Sequence, residues 1–188
     1  MRVATLLVTT LALSAGIGGG AEKLATAVQL ADGTVYFAEP PQLISATTTF
    51  KEVYVWGAKY YFTINLPENA GEPLQRVTIA QKQGTDDIRF DLKDTRAFVG
   101  TAGDKGPRLG LGEVTRERQT STVFVTFNPP VPPGKTVTIS LSPDRNPRFS
   151  GVYLFGVTAF PAGEKSHGQF LGFGRLQFYE SFRQFGFP

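Results

Sequence analysis

The sequence predicts an all-β chain: an immunoglobulin-like two-sheet β-sandwich that follows an N-terminal leader. Three observations carry this. Apolar residues recur with period two in segment after segment, as strands with one face on a core require. Proline and glycine punctuate the segments at their ends, where a ladder needs no donor and a turn needs positive φ. No interior segment sustains a helical period.

The leader comes first. Arg2 places a positive charge beside the start, Val3 to Ile17 is an apolar run, and Gly18 to Gly20 break it. Ala25-Thr26-Ala27 offers the small-x-small pattern of a processing site, with Ala21 as the alternative last residue removed. The run is short for a bilayer span, so residues 1–27 read as a cleaved secretory signal peptide, and a retained N-terminal anchor is the other reading. Residues 28–188 then form one β-sandwich domain with an aromatic C-terminal tail, long enough to bury a full core.

Strands are expected at Thr34–Phe37 and Ile44–Phe50, and then along the alternating set Tyr60, Phe62, Ile64 and Leu66. Val77 with Ile79 marks the next strand, and Ile88, Phe90 and Leu92 the one after. Val123, Val125 and Phe127 define another, and Val137, Ile139 and Leu141 the one that follows. Gly151 to Phe160 is apolar on both sides and reads as a central strand. Leu66-Pro67, the run Asn128 to Gly134, and Phe160-Pro161-Ala162-Gly163 read as strand ends, and Thr101–Gly112 reads as a long loop. Pro40-Pro41 fits either a short helix start or an extended segment. A closed barrel is the alternative fold.

Composition narrows the chemistry. Without Arg2, Lys23 and Glu22, the 19 basic and 16 acidic residues become 17 and 15, a formal +2 with no dense basic patch, so no nucleic-acid footprint is present. The chain has no cysteine, which excludes thiol catalysis, thiolate zinc sites and iron–sulfur ligation, and its single histidine excludes a multi-histidine metal centre. No cofactor is expected.

Several clusters qualify as sites. Asp86, Asp87, Asp91 and Asp94 supply oxygen ligands but match no calcium loop, and they read as a solvated strand face. His167 has no Gly-x-Ser-x-Gly elbow to serve and reads as an exposed loop residue. Gly172-Phe173-Gly174-Arg175 lacks the phosphate-loop pattern and reads as a strand with a close backbone approach. The loop Ser142 to Arg148 is the most distinctive: Asp144, Arg145 and Arg148 sit between prolines, and a guanidinium fork there either grips a carboxylate or sugar acid or braces the corner. Phe178, Phe182 and Phe185 fall on one helical face of an aromatic tail that either docks on the sandwich or meets a partner. Tyr54 and Trp56 either form a sugar-stacking platform or, the favoured reading, pack on the core.

Five pieces carry a resemblance: Phe37-Ala38-Glu39-Pro40-Pro41, Tyr60 to Pro67, Pro130-Val131-Pro132-Pro133-Gly134, Arg145-Asn146-Pro147 with Gly151 to Val157, and Phe160-Pro161-Ala162-Gly163. In this order they resemble a cyanobacterial family of exported proteins catalogued only as a domain of unknown function. The resemblance implies export and a bacterial envelope setting, and it brings no activity or ligand.

The leading expectation is an exported, non-enzymatic envelope protein that binds another protein or a surface polysaccharide. Asp144, Arg145, Arg148, Phe182 and Phe185 are its candidate binding residues. A glycan-acting hydrolase would need paired carboxylates, for which Asp86, Asp87, Glu113 and Glu117 are available. The third reading is a structural subunit of a surface assembly, joined through edge strands or the tail. The destination is the periplasm or envelope, the medium, or the thylakoid lumen.

Overall fold

The computed structural model describes residues 28–29 and 32–180. The proposed leader and the tail residues Phe182 and Phe185 lie outside the described residues. Every regular element among the described residues is a strand, and two five-stranded antiparallel sheets pack face to face. The first sheet has the order β3 (Gln42–Thr48), β4 (Tyr60–Leu66), β10 (Lys135–Pro143), β6 (Phe90–Gly100) and β7 (Lys105–Arg108). The second has the order β13 (Gln169–Phe178), β11 (Gly151–Pro161), β5 (Leu74–Gln83), β9 (Thr122–Val131) and β8 (Leu111–Glu117). A small third sheet joins β1 (Val28–Gln29), β2 (Thr34–Tyr36) and β12 (Lys165–Ser166). Consecutive strands switch repeatedly between the two large sheets, as in immunoglobulin-like sandwiches.

The alternation read from the sequence builds the core. Tyr60, Phe62, Ile64 and Leu66 of β4 and Val137, Ile139 and Leu141 of β10 are fully buried. From the other sheet Val123, Val125 and Phe127 of β9 and Tyr153, Phe155 and Val157 of β11 meet them. Phe62 and Phe155 pack edge to face with ring centroids 5.6 Å apart, a favoured aromatic geometry. Strand β11 lies between β13 and β5, the central place its two-sided apolar character predicts.

Both lateral edges of the sandwich are pinched. At one, β3 runs beside β13, and a Cβ on Gly174 would stand 2.7 Å from that of Ala46 and 3.0 Å from the Phe62 ring. Glycine is needed there for the close approach, as its sequence context suggests. An isolated bridge between Glu52 and Tyr179 extends this seam. At the other edge the chain passes from β7 directly to β8, and Leu109 N–H donates to the Ala97 carbonyl.

Four expectations need correction. Thr101–Gly112 is not one long loop: β7 forms within it and pairs with β6, but its side chains are all exposed, so no apolar alternation marks it. Strand β9 continues through Asn128-Pro129-Pro130 to Val131 instead of ending at Asn128. Its pairing with β5 shifts register between Thr126 and Val131, across these prolines, so their missing donors fall where that ladder is interrupted. Phe178 is not on a helix face; it ends β13 and is buried against Tyr60 and Tyr153. Tyr54 and Trp56 do not pack on the core and are exposed, Trp56 at 70%.

Candidate functional site: a groove at one end of the sandwich

Strand register brings three distant segments together. Tyr60 at the start of β4 pairs with Leu141, and Phe90 at the start of β6 pairs with Pro143 at the end of β10. The segments that precede β4, precede β6 and follow β10 therefore converge at one end of the sandwich. Between them lies a groove of about 860 Å³, lined by parts of 56–59, 85–94 and 142–148.

Asn146 fixes the frame. It is fully buried, and its side-chain amide uses both ends. Its Oδ1 accepts from the Tyr60 hydroxyl at 3.0 Å, and its Nδ2 donates to the carbonyls of Phe50 at 3.0 Å and Glu52 at 2.8 Å. The Asn146 N–H also donates to Val55 O at 2.7 Å, and Tyr54 N–H donates to Pro147 O at 3.1 Å. The corner at 144–148 is thus clamped to 50–55. Burial also raises the Tyr60 hydroxyl pKa far above its ordinary value, so the hydroxyl stays protonated and remains a donor.

Ion pairs stiffen the walls. Asp86 accepts from the Arg148 backbone N–H at 2.9 Å and from its Nη2 and Nε at 2.9 and 3.2 Å. These bonds hold the Asp86 carboxyl below its ordinary value. Asp94 accepts from Lys59 and from Ser142 Oγ, and the hydrogen bond to Lys59 is the main cause of its lowered pKa. Asp87 takes a two-pronged contact from Arg116 at 2.8 and 3.0 Å and a bond from Ser121 Oγ.

Arg148 and Asp86, read from sequence as separate candidates, are therefore one structural pair. Asp144 is exposed, and its backbone N–H donates to Arg89 O. Arg145 is half-buried, with its guanidinium 5.8 Å from the centre of the Tyr54 ring, within cation–π range. The side chains of Asp144 and Arg145 make no hydrogen bond among the described residues, so Asn146, not these two, braces the corner. Tyr54 itself has φ +61°, a left-handed backbone that a bulky side chain adopts at a cost.

The other candidates lie elsewhere. His167 stacks on Tyr36 at 4.5 Å beside the small third sheet. Glu113 and Glu117 are exposed on β8, where Glu117 accepts from Thr120. The resolved carboxyl shifts in the groove run downward, opposite to the raised pKa that a general acid needs. Among the described residues no group of three or more His, Cys, Asp or Glu is placed to hold a metal ion, and no helix is long and apolar enough to cross a membrane.

Trp56 is the residue the sequence reading misplaced. Gly57 follows it directly with φ +74°, in the turn that precedes β4.

The model of a family of proteins of unknown function, DUF2808, matches residues 34–178. The chain belongs to that family. The matched span runs from the first residue of β2 to the last of β13 and contains the whole groove. No curated protein matches the chain.

Among solved structures, this DUF2808 member is similar to a collagen-binding domain from a Staphylococcus aureus adhesin. The identity is 12% and the TM-score 0.36, over 66% of this chain and 89% of that one. It is also similar to a longer structure of the S. aureus collagen adhesin, at 11% identity and TM-score 0.40, covering 73% of this chain and 49% of the other. A third is ACE19, the collagen-binding subdomain of the Enterococcus faecalis surface protein ACE, at 8% identity and TM-score 0.40, over 72% and 96%. The chain thus spans about half the length of the longer adhesin structure.

Proposed function

We propose that this DUF2808 protein is an exported, non-enzymatic binding module of the cell envelope. Its groove end recognises another envelope protein or a surface polysaccharide. The observation that carries this reading is Trp56, which stands 70% exposed over a groove whose frame is fixed by a fully buried asparagine and by ion pairs. Leaving a large apolar ring in water forgoes roughly 2 kcal/mol of burial, which a bound partner recovers. A rigid frame lowers the ordering cost of binding. Arg145 and Asp144 complete the face with one fork-shaped donor and one acceptor. The leader-like first 27 residues support export.

The test is retention on isolated envelopes from the source cells, with the full-length protein compared with its Trp56→Ala and Arg145→Ala variants. Both variants are expected to fold normally and to lose most of the retained fraction. Undiminished retention of both removes this face as the binding surface.

A further inference from the structure

We propose that the ligand of the groove is a neutral polysaccharide, with one pyranose ring seated on the Trp56 indole and neighbouring hydroxyls bonded to Asp144 and Arg145. The inference rests on the reading of the groove as the binding face and specifies its ligand class.

Charge balance is the first argument. Every carboxylate on the groove wall with a strong internal partner is already neutralised: Asp86 by Arg148, Asp94 by Lys59, and Asp87 by Arg116. A carboxylate held this way attracts a free cation or a basic peptide weakly, yet its remaining lone pairs still accept hydrogen bonds from hydroxyls. Of the other charged lining residues, Arg89 and Arg145 are matched in number by Asp91 and Asp144, so the groups outside these pairs bring two charges of each sign. A polyanion or polycation finds no net field there, whereas vicinal hydroxyls, which both donate and accept, find both kinds of partner.

Apolar surface is the second. Trp56 is the one large exposed apolar side chain among the groove's lining residues. The side chains that line the groove around it are mostly charged and polar donors and acceptors. An exposed indole beside fixed donors and acceptors, with the exposed Tyr54 ring two residues away, matches a sugar, whose ring presents a C–H face edged by hydroxyls.

Backbone strain is the third. Tyr54 holds its left-handed backbone two residues before Trp56, its N–H is tied to Pro147, and its exposed ring lies under Arg145. The bond to Pro147 holds this left-handed residue against the corner and keeps its ring within cation–π range of the guanidinium.

Trp56 is the only tryptophan in the chain, so intrinsic emission reports on the groove alone. The full-length protein is titrated with cello-oligosaccharide, mannan and the neutral glycans extracted from the source envelope, and with polygalacturonate as the anionic probe. The expected result is a saturable emission change with a neutral glycan that persists at high salt. Calorimetry should show affinity reduced at least tenfold in Trp56→Ala, at least fivefold in Arg145→Ala, and largely restored in Trp56→Phe. A response confined to polygalacturonate and abolished by salt overturns the proposal. So does the absence of any neutral-glycan response while envelope retention remains sensitive to Trp56→Ala; that outcome leaves the binding-module reading standing with a protein as partner. Envelope retention that ignores both Trp56→Ala and Arg145→Ala instead refutes the reading of this face as the binding surface.

Discussion

Asn146 concentrates the stability of the groove in one side chain. Its buried amide serves one buried hydroxyl and two partly buried backbone carbonyls. Asn146→Ala strands the Tyr60 hydroxyl and the Glu52 carbonyl, while Phe50 O keeps its bond from Thr48 Oγ1, and each buried group without a partner costs about 1–3 kcal/mol before relaxation. The expected loss is about 3 kcal/mol, read as a lower urea midpoint with an unchanged slope. Tyr60→Phe removes only the hydroxyl and should cost about 1 kcal/mol. Acid provides a second probe at this scale. Asp86 and Asp94 hold their protons more weakly in the folded chain than in the unfolded one. The stability they contribute is complete above the unfolded value near 3.8 and is lost as pH falls below it through the lower folded values. Urea midpoints followed from neutral pH into acid should therefore drop below about pH 4, and Asp94→Asn should flatten part of that drop. The partial exposure of Lys59, Asp94 and Arg148 keeps each contribution small.

At the scale of elements, the seam between β3 and β13 depends on Gly174. Gly174→Ala forces its new Cβ against Ala46 and Phe62, where the neighbours are a strand and a core ring, not a flexible chain end. Overpacking of this kind costs about 1–3 kcal/mol, and thermal unfolding should show it while glycan affinity stays unchanged, since the groove is built from other segments. The same scale shows what was legible in the sequence. Strands β4, β9 and β10 alternate because one face of each meets a core, β11 is apolar on both sides because it is central, and that burial leaves its mark in residue type. Strand β7 is exposed on both faces, so nothing in its composition sets it apart from a loop. The prolines of β9 looked like a strand end because their place at a register shift is a property of the neighbouring strand, not of β9 itself. The exposure of Trp56 was hidden for a like reason: whether an aromatic ring is covered depends on which segments arrive beside it.

The described residues form a sandwich whose lateral edges are pinched and one end of which carries a large groove. The corner at 142–148 stood out in the sequence by its prolines and charges, but its partners in 50–59 and 85–94 did not, because only the register of β4, β10 and β6 brings them together. A second exposed apolar feature competes with the groove at this scale. Phe170 and Phe173 pack edge to face on β13 at 5.2 Å and are each at least half exposed. The two surfaces are well suited to a direct contest. The most direct measurement is an NMR line-broadening map of the nitrogen-15-labelled full-length protein mixed with sonicated envelope fragments. The account predicts broadening centred on the Trp56 indole N–H and on the amides of residues 53–57, 85–89 and 144–149. Broadening centred on Phe170 and Phe173, with the Trp56 signal left sharp, would contradict it.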